Sequence, residues 1–308
     1  MLQAYRRLCV GIVMTLILSG MPLLAWDDCA DVIKGGETLF KDRGACASLG
    51  SAPDGKMIDG LRRCRDASGK VVEEARYEKG VPVSLWFYDA EDRLLSFVFN
   101  EAGKLHGPAR GFSRDGVLAC EMFFTDGKPE GAGREYYPNG KLRRTYTVRN
   151  GRKDGRYLEY DENGGLLLER EYRDGVDWVE KFYDPNGNLR EHSLRKGDGK
   201  SFTSRHYWPN GKLRSEASFE VKTKPACKVK EAVLVGKAFQ YAEDGSLRKE
   251  ESFDDLGRLD GLQIDIDEEG RRTESVYCHG RLTQKRLFAP DGKLQEELVF
   301  GKEDDAGR

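Results

Sequence analysis

A seven-residue phrase recurs through most of this chain: an aromatic, two or three polar turn residues, glycine, one variable residue, then an apolar residue. It reads YYPNGKL ending at Leu142, YDENGGL at Leu166, YDPNGNL at Leu189, YWPNGKL at Leu213, YAEDGSL at Leu247 and FAPDGKL at Leu294. Weaker copies are FSRDGVL at Leu118 and DASGKV at Val71. The turn glycines are Gly69, Gly116, Gly140, Gly164, Gly187, Gly211, Gly245, Gly270 and Gly292, with Asp92 on the missing rung. Successive steps are 23, 24, 24, 24, 23, 24, 34, 25 and 22 residues. A second set, Gly80, Gly103, Gly127, Gly151, Gly175, Gly199, Gly257, Gly280 and Gly301, falls between the first. Turn signals therefore arrive about every 12 residues, the spacing of short antiparallel strands.

Asn-Gly and Asp-Gly supply the positive backbone angles that tight hairpin turns need. Between turns the pattern has period two. Leu213, Ser215, Ala217 and Phe219 share one strand face, and Arg214, Glu216 and Ser218 take the other. The expected fold is all-β: an elongated array of about ten stacked antiparallel β-hairpins with a 23–24 residue period. Composition agrees. The 308 residues include 36 glycines, where average usage of about 7% would give roughly 22. A mean hydropathy of -0.66 excludes a polytopic helical membrane protein. Fifty-one basic against 53 acidic residues leave a net charge of -2, so no global field points to nucleic acid.

Arg6 and Arg7 precede an apolar run from Leu8 to Ala25, the layout of a secretory signal ending at Ala25. Residues 1–25 are thus read as a signal peptide, 26–53 as a cysteine-containing N-terminal segment, 54–301 as the array and 302–308 as a charged tail. This places the protein in the periplasm or outside the cell, the alternative being an uncleaved inner-membrane signal anchor. Six cysteines follow the signal: Cys29, Cys46, Cys64, Cys120, Cys227 and Cys278. An even number in an exported chain reads as disulfides, with fifteen connectivities open. The 34-residue step holds an insertion at 221–232, VKTKPACKVKEA, whose lysines and proline read as a protruding loop.

Little in the sequence resembles a reaction centre. None of His106, His192, His206 and His279 stands at metal-ligand spacing. His279 adjoins Cys278, but strand neighbours point to opposite faces and cannot form a nucleophile–base pair. There is no GxSxG, no GxxxxGK[ST] and no CxxC. Asp265 and Asp267 share a strand face without a calcium loop around them. The expectation is no enzyme, no cofactor and no metal site. Aromatics crowd the strand end before each turn: Tyr136 and Tyr137, Tyr160, Phe182 and Tyr183, Tyr207 and Trp208, Tyr241, Phe288, and Phe87 with Tyr88. Most serve a thin core, but of two adjacent aromatics one faces away. Tyr137, Tyr183 and Trp208 are therefore the candidate partner surface. Lys104, Lys141, Lys212 and Lys293 after the turn glycines offer a basic edge for lipid headgroups or peptidoglycan.

The phrase GRKDGRYLEYDENGGLLLEREYRDG, from Gly151 to Gly175, resembles the bacterial variant of the MORN repeat, the YwqK-type antitoxin repeat family. In that family a DG turn is followed nine residues later by a second turn glycine. Here Gly60–Gly69, Gly107–Gly116, Gly131–Gly140, Gly155–Gly164, Gly236–Gly245 and Gly261–Gly270 keep that separation, while Trp178, Phe202 and Thr283 replace the first glycine. YDPNGNL also resembles the YD repeats of large secreted shell-forming proteins, ranked second on spacing. The first resemblance implies an elongated sheet of stacked hairpins that binds proteins or membranes without chemistry of its own. The function expected is an exported, non-enzymatic scaffold or immunity or assembly factor whose partner is another protein. Binding to a membrane or peptidoglycan surface is the alternative, and an enzyme with a non-obvious site ranks third.

Overall fold

The computed structural model describes residues 59–65, 68–88, 94–98, 104–113, 115–197, 199–223 and 230–300. The expected signal peptide, the N-terminal segment, the charged tail and Cys29, Cys46 and Cys227 lie outside them. Among the described residues every regular element is a strand, and every pairing between strands is antiparallel. The chain divides into two units, Met1–Gly127 and Lys128–Arg308.

In the first unit, β1 (Gly60–Arg65), β2 (Val71–Glu78), β3 (Val81–Tyr88), β4 (Leu94–Val98), β5 (Gly107–Phe112) and β6 (Leu118–Thr125) pair in chain order as a meander. Its core is dense for so small a sheet. Tyr77, Leu85, Leu95, Phe97, Ala109, Cys120 and Met122 are each at most 2% exposed.

The second unit continues the same meander plan on its own. It runs β7 (Lys128–Tyr136), β8 (Leu142–Arg149), the two-residue β9 (Arg152–Lys153), β10 (Gly155–Tyr160), β11 (Leu166–Arg173), β12 (Val176–Tyr183), β13 (Leu189–Arg195) and β14 (Ser201–Tyr207). There follow β15 (Leu213–Thr223), β16 (Lys230–Tyr241), β17 (Leu247–Phe253), β18 (Gly261–Ile266), β19 (Arg272–Cys278), β20 (Arg281–Phe288) and β21 (Leu294–Val299). Burial is sparse here: Tyr146, Val148, Tyr157 and Leu168 are its buried apolar side chains among the described residues. The all-β hairpin array expected from the repeats is present in each unit.

Two turn chemistries alternate. At the repeated phrase the residue after the aromatic donates its N–H to the carbonyl of the residue after glycine, and glycine donates back. Tyr137 N–H to Lys141 O and Gly140 N–H to Tyr137 O are both 2.8 Å. Ser113, Asp161, Asp184, Trp208, Ala242, Asp254, Asp267 and Ala289 repeat the first of these bonds. Gly140 carries the positive φ alone, at 80°, and the register slips by one residue between Glu135 and Tyr136. That is a longer loop closed by a bulge, not the two-residue turn that Asn-Gly first implies. The tight turns sit at Gly80, Gly127, Gly151, Gly175 and Gly280 of the second glycine set, where both central residues have positive φ, as at Asn150 (51°) and Gly151 (77°). This is the signature of the type I′ hairpin, whereas Gly257 closes a bulged loop like those of the phrase.

The insertion at 221–232 corrects one expectation. Its described flanks extend β15 and β16 instead of belonging to a loop, with Val221↔Ala232, Lys222↔Glu231 and Thr223↔Lys230 in register. Its lysines alternate with apolar and hydroxyl residues, which is strand patterning, and the Lys222 ammonium is held by the Asp255 carbonyl and Glu220. Residues 224–229 lie outside the description.

Candidate functional site

The aromatic column is tied from one turn to the next. The Tyr137 hydroxyl donates to the Tyr160 carbonyl at 2.7 Å, one repeat on. In the same pair of turns Asn139 Nδ2 reaches Glu162 O at 3.1 Å and Lys141 Nζ reaches Asn163 O at 3.1 Å. Turn 208–212 repeats all three ties: Trp208 Nε1 to Tyr241 O (3.1 Å), Asn210 Nδ2 to Glu243 O (2.9 Å) and Lys212 Nζ to Asp244 O (2.7 Å). Both turns have an aromatic in the second position of the phrase and Asn and Lys in the fourth and sixth. Arg143 and Arg214 stack on the Tyr137 and Trp208 rings at 5.8 and 4.7 Å.

The three candidate partner residues are therefore half-buried and engaged within the array. Tyr183 differs in detail, donating to Glu169 Oε2 at 3.2 Å. Burial raises the phenol pKa of Tyr137, and burial with the Glu169 charge raises that of Tyr183. Lys141 and Lys212, candidates for a headgroup-binding edge, spend their ammonium groups on carbonyls of the following turn. Lys293 remains exposed beside Asp291 at 3.1 Å.

Where the second position is aspartate, the turn closes on itself. Asp184 Oδ1 accepts the N–H groups of Asn186 (3.0 Å) and Asn188 (2.9 Å), and Asp161 and Asp254 do the same for their own turns. The backbone bond from Asn188 holds the Asp184 pKa below its ordinary 3.8. The Arg271 side chain does so for Asp267, the Ser246 hydroxyl for Asp244 and the Lys293 N–H for Asp291. At Asp254 desolvation acts upward, but the Arg258 and Leu256 N–H groups, the Arg258 guanidinium and His279 bring it down to about 2. A carboxylate depressed in the fold stabilises above its free pKa and loses that contribution as pH falls through its folded value. The array is thus expected to lose stability progressively between about pH 4 and pH 2. Urea midpoints measured down this range check it. Asp184→Asn and Asp267→Asn should flatten the slope, and an unchanged slope would sink the assignment.

A second clamp explains the glycines nine residues ahead of each phrase. The acidic residue before such a glycine accepts the first N–H of a type I′ turn about one repeat later: Asp59 from Lys79 (2.6 Å), Glu130 from Asn150 (2.7 Å), Asp154 from Asp174 (3.3 Å) and Asp260 from His279 (2.8 Å). The carbonyl two residues before the glycine takes the turn's second N–H, as in Gly175 to Lys153 and Gly280 to Leu259, at 2.8 and 2.7 Å. Both donors of the exposed turn are thereby satisfied from the preceding repeat.

Cys120 and Cys278 are free thiols, which corrects the expectation that all six cysteines pair. Cys120 is 2% exposed in the first unit's core and lies opposite Gly111, so no thiol faces it across the hairpin. Cys278 lies opposite Arg281 at the end of β19 and is exposed. The alternation argument that separated it from His279 also fails. His279 is not on the strand but in the turn, with φ of 47°, and the ligand atoms of Asp260, Cys278 and His279 lie within 4.8 Å of one another.

With this geometry in view, five segments of the second unit match a known family. Residues 129–150, 153–174, 179–196, 203–220 and 234–255 match the MORN repeat variant. Each spans one phrase turn with its flanking strands. The comparison with curated proteins gives no match. Among solved structures, TcdB2-TccC3 without its hypervariable C-terminal region is 13% identical over 74% of this chain, with a TM-score of 0.18. This chain spans 14% of that one's length. A porin-like protein from Bacteroides uniformis is 12% identical, covering 74% of this chain and 92% of its own, also with a TM-score of 0.18.

Proposed function

We propose that this is an exported, non-enzymatic repeat scaffold of the cell envelope whose sheet binds another protein, in an immunity or assembly role of the kind associated with YwqK-type repeats. One observation carries the binding reading. The fifteen strands of the second unit bury four apolar side chains among the described residues, and Leu194 (43%), Leu262 (42%), Leu298 (43%) and Val299 (74%) stand exposed on them. A scaffold of turns held by their own ties can leave its sheet surface open in this way; Leu194 and Leu262 stand singly, but Leu294 (51%), Leu298 and Val299 cluster on β21, where apolar exposure suits a protein interface. The envelope location is supported by the signal-like residues 1–25 and by the disulfide at Cys64, a bond favoured in oxidising compartments.

The test is capture from envelope extract with the tagged full-length chain under crosslinking. Saturable recovery of one protein, reduced by Leu298→Glu and Val299→Glu, supports the reading. Recovery of no saturable protein, or sedimentation with liposomes or peptidoglycan instead, overturns it.

A further inference from the structure

We infer that Asp260, Cys278 and His279 form a zinc site on the second unit, one that the repeat framework assembles as a by-product of its turn clamp. The clamp brings the residue before the β18 glycine against the first residue of the β19–β20 turn, and here these are Asp260 and His279. Asp260 Oδ1 accepts the His279 N–H at 2.8 Å and lies 3.8 Å from its Nδ1. Cys278, the preceding residue, is a free and exposed thiol. The positive φ of His279 turns its side chain out of strand alternation, so thiol, imidazole and carboxylate converge with all ligand atoms within 4.8 Å.

The donor set is what identifies the ion. Thiolate with imidazole and one carboxylate is a borderline-soft combination suited to zinc, and not to calcium or magnesium, which take oxygen ligands. Tetrahedral zinc with bonds of about 2.0–2.3 Å separates its ligand atoms by about 3.3–3.8 Å. The observed spread needs a closure of about 1 Å, within the reach of the exposed Cys278 and His279 side chains. Asp254 Oδ2, 3.4 Å from His279 Nδ1, places a second carboxylate beside the ring.

The other copies of the clamp supply the contrast. The turn residue is Lys79, Asp126, Asn150 or Asp174 elsewhere, and the residue before it is Glu78, Thr125, Arg149 or Arg173. The clamp itself therefore requires neither a cysteine nor a histidine. Three protein ligands leave a fourth position for water or for a group from a partner, the pattern of an accessible zinc site.

The test uses the full chain, stripped with a chelator and titrated with zinc alone by calorimetry, then with cobalt(II) followed by absorption. The expected result is one zinc per chain at this site and a thiolate-to-cobalt charge-transfer band. Cys278→Ser should abolish the band, while Cys278→Ser and His279→Asn should each weaken zinc binding by about tenfold or more. His279→Asn keeps a residue that tolerates positive φ, and Asp260→Asn keeps the clamp acceptor while removing the ligand charge. Circular dichroism of each variant confirms folding. Zinc affinity unchanged in all three folded variants, or a cobalt band that survives Cys278→Ser, would overturn the assignment.

Discussion

Gly133→Ala is expected to be among the most destabilising methyl additions the second unit can receive, costing about 3 kcal/mol. Gly133 lies opposite Tyr146 across the β7–β8 pair. A Cβ at this position would sit 2.3 Å from Tyr146 Cε2 and 2.5 Å from Cζ, well inside van der Waals contact. The ring has nowhere to go. Tyr146 is 2% exposed, stacks on Tyr157 at 6.2 Å between centroids, and carries the Lys153 ammonium 5.3 Å from its face. An aromatic lying over a strand glycine is a recognised way to cover exposed backbone, and it works only while the glycine has no side chain. In a unit of this size, about 3 kcal/mol corresponds to a Tm lower by about 6–12 °C. Gly197→Ala is the control, since its Cβ would meet nothing within 4 Å. It should be neutral or stabilise by up to about 1 kcal/mol through the unfolded chain. Thermal melts of both variants, and of Gly133→Ala combined with Tyr146→Ala, decide the matter. If the double variant loses as much as, or more than, the Gly133→Ala and Tyr146→Ala losses summed, the clash is not the cause.

The places of the turns were legible because their chemistry is local: glycine at fixed offsets marks where the chain takes positive φ, although the Asn-Gly and Asp-Gly of the phrase point to a two-residue turn where a bulged loop stands. The ties between turns were not. Whether Tyr137 faces solvent or the carbonyl of Tyr160 depends on how far one hairpin is staggered against the next, and nothing inside a seven-residue phrase carries that distance. The same limit applies to Trp208. The insertion misled for a different reason. Lysine and proline in 221–232 resemble loop composition, yet Val221, Lys222 and Thr223 keep the period of two, which was the better guide. Cys278 and His279 show a signal that was present and misapplied. His279-Gly280 occupies the slot of the second glycine set, so His279 belongs to a turn, and strand alternation ends at Cys278.

Arg144→Met should cost the second unit about 2 kcal/mol, below the range for breaking a fully buried ion pair because Arg144 and Glu159 are only part-buried. Arg144 lies on β8 between two carboxylates from its neighbouring strands, 3.2 Å from Glu135 Oε2 and 3.3 Å from Glu159 Oε1. Glu135 is 4% exposed, and the Tyr157 hydroxyl donates to Glu159 Oε2 at 2.8 Å. Desolvation acts against the guanidinium charge, but Tyr157, Glu159 and Glu135 outweigh it and raise its pKa. With methionine in its place, two carboxylates would share a poorly hydrated strip of sheet without the cation between them. Glu135→Gln added to Arg144→Met should recover part of the loss, because it removes one of the two like charges left facing each other. Urea denaturation of the parent protein, the single variant and the double variant measures both effects. If Glu135→Gln recovers nothing in the Arg144→Met background, the two carboxylates do not repel there and the guanidinium acts mainly through packing.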